Sequence, residues 1–361
     1  MRRIAKARSA VGLAVGLALV SAACATSSAS GAFRGASLTG AGSTFAQPVY
    51  AGWAQGFQKV ESQAKVNYQP IGSGGGVQAF ASKTVDFGAT DVPLQPADVT
   101  TLKGTAYIEF PTALGAVAVL YHANGVPNGL KLDAATVADI FLGTVKTWNA
   151  PEITALNPGV SLPPTAISIV HRADESGTTA VFTSWLSDGS PTWKVKVGSD
   201  KAVQWPVGQG ANGSSGVAAA VSQTDGAIGY ASQDYAVTSG LSSAALKAPD
   251  GTFVSPTVQA ITAAGGGLTF PITADTNILN STAPGAYPIA STTYVVIYQA
   301  QTSQDKAQTL VDFWHWALTK GQAQLTQLNY APLPSSVAQG SLQELAKITV
   351  NGKAVTPSAG T

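Results

Sequence analysis

Apolar and polar positions follow two rhythms along this chain. In "LTGAGSTFAQPVYAGWAQGFQ" (38–58), Phe45, Val49, Trp53 and Phe57 recur every four residues, the spacing of one buried helix face. Pro48 stands where a first helical turn tolerates proline. "DKAQTLVDFWHWALTKG" (305–321) carries the same signature at Leu310, Val311, Phe313, Trp314, Ala317 and Leu318 and ends on a glycine, a helix stop. Strand-like runs lie between them: "KVNYQPI" (65–71), "TVDFGATD" (84–91), "GAVAVLYH" (115–122), "AISIV" (166–170) and "YPIASTTYVVIYQ" (287–299). They alternate with helical patterns beginning at Val77 and Ser176, and "ATVADIFLG" (135–143) belongs to the same series. Such alternation predicts βαβ units and an α/β fold. Gly-rich "GQGANGSSG" (208–216) and "TAAGGGLTFP" (262–271) read as loops.

The first residues follow neither rhythm. Arg2, Arg3, Lys6 and Arg8 precede the apolar run "VGLAVGLALV" (11–20), then come Ser21-Ala22-Ala23 and the single cysteine, Cys24. A basic start, a short apolar run and small residues describe a signal peptide over residues 1–23, too short to span a bilayer. A cysteine at that point reads as a lipobox whose thiol is acylated, although Ser21 stands three places before it and the customary Leu is absent. A plain signal with an incidental cysteine is the alternative. With no second cysteine in the chain, Cys24 has no intrachain disulfide partner. Residues 24–37 read as a flexible tether.

The remaining length allows two domains and a substantial core. Only 11% of residues are charged and the net charge is +1, so no basic field exists to gather nucleic acid. An anion would have to be held by local geometry.

Candidate chemistry gathers at three helix starts. Each follows a Gly-rich or polar turn: Ser43-Thr44 before the 45–57 pattern, Ser73 in "GSGGGVQAFAS" (72–82), and Ser176-Gly177-Thr178 in "HRADESGTTAVFTSWL" (171–186). Helix starts offer unpaired N–H groups and the positive end of a dipole. Glycines admit an oxyanion close to the backbone, and hydroxyls add donors. Singly these are ordinary N-caps; three after strands fit a ligand at the carboxyl ends of an open sheet. Arg172, four residues before Ser176, can present a bidentate fork to the same anion, and Asp174 can brace it. Asp91 ends a strand-like run. Beside an anion a carboxylate repels unless the ligand brings a proton; phosphate does so near neutral pH and sulfate does not. A turn residue before Val92-Pro93 is the alternative for Asp91.

At these residues the chain resembles the phosphate-binding protein of the bacterial ABC phosphate importer, the PstS family. "LTGAGSTFAQPVYAGWAQGFQK", "VNYQPIGSGGGVQAFASKTVDFGATDVPL", "HRADESGTTAVFTSWLS" and "YPIASTTYVVIY" carry the resemblance, which runs collinearly from about residue 37 to 337 through "DIFLGTVKTWNAPEITALNPG", "GAIGYA" and "LNYAPLPSSV". It implies a two-lobed periplasmic-binding-protein fold of type II, crossed twice by the chain near 110–119 and 285–294. Lobe one would be 38–115 plus 291–361 and lobe two 116–290. The implied phosphate contacts are Thr44, Phe45 (by its backbone N–H), Ser73, Asp91, Arg172, Ser176, Gly177 and Thr178, with Asp174 bracing the arginine. The expected protein is an exported, lipid-anchored monomer on the outer side of the cytoplasmic membrane, without cofactor or metal. It would pass phosphate to the membrane subunits of an ABC permease. Glu175 departs from the glycine expected in relatives and is expected to face solvent.

A secreted phosphatase-like or serine hydrolase is the competing class. G-x-S-x-G fails because Asp174 stands two residues before Ser176. Of the three histidines, His122, His171 and His315, only His171 is near the candidate crevice, where a packing role is expected. No histidine pair has metal-ligand spacing, and "GSGGGVQ" lacks the Lys-Ser/Thr ending of a P-loop. A surface adhesion lipoprotein fits the composition and leaves the helix starts, Arg172 and Asp91 unexplained.

Overall fold

The computed structural model describes residues 35–361. The expected signal, Cys24 and all of the expected tether before Gly35 lie outside the described residues. Nine strands form one mixed sheet. In chain order they are β1 (Ser37–Gly42), β2 (Lys65–Pro70), β3 (Phe87–Thr90), β4 (Tyr107–His122) and β5 (Ser168–Arg172). They continue with β6 (Gln209–Ala211), β7 (Ala227–Ser232), β8 (Ser242–Ser243) and β9 (Ala290–Tyr298). Their order across the sheet is β2-β1-β3-β9-β4-β7-β5-β6, with β8 beside β4. β1 runs parallel to β2 and β3, and β7 runs parallel to β5. β9 lies antiparallel between β3 and β4.

β4 joins the two ends of this sheet. Residues 107–116 face β9, and 117–122 face β7. It is buried from Phe110 to Tyr121, and burial on both faces accounts for its near-continuous apolar sequence. The helices that matter for the site are α1 (Gln47–Gln58), α2 (Ser73–Ala81), α3 (Ala134–Phe141), α4 (Gly177–Gly189), α5 (Gly213–Ser222), α6 (Gln233–Thr238) and α7 (Gln304–Thr319).

The four-residue repeat of α1 is buried throughout, as are the six apolar positions read from α7. They meet around Trp314, whose ring packs edge-on against Tyr50, Trp53, Phe87 and Phe110. Toward the other end of the sheet, Phe182 stacks on Tyr230 at 4.2 Å, and Phe141 of α3 packs edge-on against Phe182. Each buried aromatic contributes on the order of 2–3 kcal/mol of transfer free energy.

Three expectations need correction. α2 begins at Ser73, four residues before Val77, because its glycines are contact residues of the helix and not a preceding loop. A Cβ on Gly76 would lie 2.3 Å from Gly42 Cα and 2.7 Å from the Ala41 carbonyl oxygen. The stretch 208–216 contains β6 and the start of α5. The stretch 262–271 begins inside a helix, Val258–Gly265. In both, small residues mute the apolar contrast by which a helix announces itself.

Candidate functional site

The residues nominated for the anion site sit just after the carboxyl ends of strands or at helix starts, and the sheet brings these ends together. Asp91 directly follows β3, Arg172 ends β5, and Ser176 caps α4. Thr44 and Phe45 lie in the turn between β1 and α1, and Ser73 opens α2. Thr44, Ser73, Asp91, Arg172, Ser176 and Thr178 are all buried. Burying six polar side chains together is costly unless each finds a partner, so their partners define the site.

Asp91 receives hydroxyl protons from both sides. Ser43 donates to its Oδ1 and Thr178 to its Oδ2, the latter at 3.3 Å. Ser43 Oγ also accepts the Ala46 N–H at 3.0 Å, so its own proton is free for the carboxylate. Burial pushes the Asp91 carboxyl up to about 6, against the opposing pull of the Ser43 bond, the Arg172 charge and Thr178. It is therefore ionised at neutral pH, desolvated, and a strong acceptor with lone pairs left over.

Arg172 is locked by Asp174. Nε donates to Asp174 Oδ1 at 2.7 Å and Nη2 donates to Oδ2, a two-point fork. Burial opposes ionisation of Asp174, but those two bonds, the guanidinium charge and the Gly213 N–H (3.0 Å) outweigh it and hold its pKa below the ordinary value. Nη1 is directed to Ser214 Oγ at 3.4 Å. That hydroxyl lies 2.9 Å from Thr44 Oγ1, to which the Ser214 N–H donates at 3.2 Å.

Ser73 and Gly177 complete the cluster. Ser73 is 1% exposed, and its Oγ has no hydrogen-bond partner among the described residues. A buried hydroxyl without a partner calls for one from outside the protein. A Cβ on Gly177 would lie 2.7 Å from Ser73 Oγ and 2.8 Å from Asp91 Cβ, so glycine is what lets the start of α4 approach α2 and Asp91. Ser176 Oγ accepts the Thr179 N–H at 3.2 Å as an ordinary cap, which leaves its proton to donate elsewhere. Phe45 is fully buried, and its carbonyl accepts from Tyr330 Oη at 2.5 Å.

Three positions matter more than the sequence alone conveyed. Ser43 is a partner of Asp91, Ser214 joins Thr44 to Arg172, and Tyr330 Oη reaches Asp234 Oδ1 at 2.8 Å as well as Phe45. Burial pushes the Asp234 carboxyl up to about 6. The signal for Ser214 was present: Ser214, Val217, Ala218 and Val221 are the buried face of α5, an i, i+3, i+4, i+7 pattern.

Other candidates fall into place around the cluster. Glu175 is exposed, as expected, and lies across Gly74 at the edge of a cavity of about 760 Å³ lined also by Asp91, Pro93 and Ser291. Lys201 donates to Asp98 at 2.6 Å on the wall of that cavity. His171 stacks on Trp205 at 4.8 Å and donates through Nδ1 to the Arg172 carbonyl at 3.0 Å, contacts of the kind a packing histidine makes. His315 pairs with the Thr361 carbonyl at 3.1 Å. Among the described residues, no group of three or more His, Cys, Asp or Glu side chains is placed to hold a metal ion.

The arrangement can grip a small oxyanion. It offers one guanidinium, several hydroxyls and two helix starts, and it sets beside them one buried carboxylate that accepts only from a protonated ligand. Comparison with known proteins gives the same direction. A family profile described as the PBP superfamily domain matches residues 27–320. The phosphate-binding protein PstS of Pasteurella multocida is 38% identical over 305 residues, spanning 84% of this chain and 88% of that protein. The Haemophilus influenzae protein of the same name is 38% identical over 304 residues, 83% and 90% of the two chains. Among solved structures, a phosphate-binding protein from Stenotrophomonas maltophilia superposes with a TM-score of 0.68 at 19% identity, covering 85% of this chain and 93% of that one. A substrate-binding protein from Clostridium perfringens, solved with bound phosphate, superposes at 0.60 and 18% identity, covering 83% and 100%.

Proposed function

This chain belongs to the PBP superfamily and, within it, to the PstS family of phosphate-binding proteins, and from that premise we propose that it captures inorganic phosphate for import. The observation that carries the proposal is Asp91: a desolvated carboxylate, held by two hydroxyls, beside an unpartnered Ser73 hydroxyl and close to Arg172. A guanidinium alone would accept any oxyanion. Adding a buried acceptor selects a ligand that still carries a proton, which orthophosphate does near neutral pH.

In this reading Arg172, Ser176, Gly177 and Thr178 bind one side of the anion, and Thr44, the Phe45 N–H, Ser73 and Asp91 bind the other. The two sets come from opposite ends of the sheet, which supports a division into lobe one (38–115 with 291–361) and lobe two (116–290). The chain would cross within β4 and again before β9. Ligand contacts made only when both sets engage would drive closure. The N-terminal sequence supports export and acylation at Cys24, which would hold a monomeric receptor at the outer face of the cytoplasmic membrane for delivery to an ABC permease. Hydrolysis gains no support from the contacts of Ser176 and His171.

Isothermal titration with phosphate, arsenate and sulfate tests the assignment. Phosphate and arsenate should bind one to one and sulfate should not; a chain that takes up no phosphate, or takes sulfate equally well, would end the proposal.

A further inference from the structure

The start of α5 stands outside the contacts assigned above, yet it touches two of the residues that make them and the aspartate that braces the arginine. Ser214 is fully buried. Its N–H donates to Thr44 Oγ1, its hydroxyl lies 2.9 Å from the same atom, and Arg172 Nη1 points to its Oγ at 3.4 Å. One residue earlier, the Gly213 N–H bonds Asp174 Oδ1, the oxygen that also receives Arg172 Nε. The first two residues of one helix thus bind Thr44, 170 residues away, together with the arginine and its brace.

Proton count leaves two arrangements of these hydroxyls, and the anion chooses between them. A guanidinium only donates, so Ser214 Oγ accepts from Arg172 and keeps one proton to give. Thr44 Oγ1 has two lone pairs, and the Ser214 N–H takes one. If Ser214 gives its proton to the other, both are filled, and the Thr44 proton must point away from α5. The reverse arrangement would turn that proton from the anion toward Ser214. An anion seated against Arg172 and Thr44 selects the first.

We propose that Ser214 is a positioning residue of the anion site, holding Thr44 with its hydroxyl proton presented to the ligand while steadying Arg172 Nη1. The role rests on the phosphate-binding reading. Because Thr44 and Ser214 belong to opposite sides of the site, the contact forms only when those sides meet. The hydroxyl that greets the ligand is then correctly turned only in the closed arrangement.

A double-mutant cycle tests this. Phosphate is titrated into the parent protein, Ser214→Ala, Thr44→Val and the double variant, with ligand-free melting temperatures recorded for each. Loss of one buried hydrogen bond is worth on the order of tenfold in affinity, so Ser214→Ala should bind about tenfold more weakly. In the Thr44→Val background the same change should cost less than about twofold, because residues acting through one another are not additive. Additive losses would mean that Ser214 acts independently of Thr44, and parental affinity in Ser214→Ala would mean that it does not act at all; either overturns the proposal. If the alanine variant melts early, the near-isosteric Ser214→Cys, whose thiol is a weak donor and weak acceptor, repeats the cycle with the same expected coupling. A parent that binds no phosphate would instead defeat the underlying reading.

Discussion

Replacing Asp91 with asparagine separates charge from shape at the point where selectivity should arise. The side chain is 3% exposed and already accepts from Ser43 and Thr178, so a third donor must come from the ligand. Phosphate supplies one. Sulfate leaves a buried carboxylate facing like charge with no hydrogen between them. An uncompensated charged acceptor costs roughly 3 kcal/mol, which at 1.36 kcal/mol per decade is about a hundredfold against sulfate before repulsion is added. In Asp91→Asn the amide N–H donates to a fully ionised oxyanion, and the two hydroxyls can turn to the remaining carbonyl. Sulfate binding should then appear, within about tenfold of phosphate. The assay is isothermal titration at pH 7.5 and fixed ionic strength, since salt screens part of the repulsion. The ligand-free melting temperature serves as a control. A carboxyl raised to about 6 from 3.8 costs the folded state on the order of 3 kcal/mol when ionised, so the variant should melt higher. An Asp91→Asn protein that excludes sulfate as its parent does would refute the reasoning, whatever its stability.

Gly177→Ala should weaken phosphate binding about tenfold or more, since its methyl would press on Ser73 Oγ and Asp91 Cβ and overpacking costs roughly 1–3 kcal/mol; unchanged affinity by titration would show that the approach is slack. Buried carboxyls predict a pH dependence as well. Asp91 and Asp234 are raised to about 6 and Glu109 to about 7, each by burial. The folded state therefore binds more protons than the unfolded chain between about pH 4 and 7, and the stability these groups contribute is lost as pH rises through that window. Thermal melts of Asp234→Asn without ligand should show a shallower decline than the parent from pH 4.5 to 7.5; a parallel decline would contradict the assignment. Cys24→Ser should move the protein from the detergent-soluble membrane fraction to the medium, and an immunoblot showing no redistribution would remove the lipid anchor.

Much of the molecule is legible in its sequence. The repeats of α1 and α7 are legible because each helix sets one apolar face against one polar face. Arg172, Asp91 and Ser73 stood out because their chemistry is unusual for their positions in the pattern. What escaped notice was small and local. α5 is built from Gly, Ser, Ala and Val, so its buried face differs from its exposed face by a few methyl groups. β4 begins eight residues before the run read as a strand, at Tyr107, and a segment containing Glu109 and Pro111 shows little strand pattern by itself; its pairing with β9 decides the conformation. The partnership of Thr44 with Ser214 was invisible for another reason: contacts across 170 residues depend on how the sheet is ordered, which no local window contains.

β4 also constrains how this molecule can come apart. Its sixteen residues are shared, nine of them paired with β9 and six with β7, so neither end of the sheet owns its own central strand. Melting one end would strip an inner strand from the other, leaving buried backbone groups without partners. The two ends should therefore lose structure in a single cooperative transition.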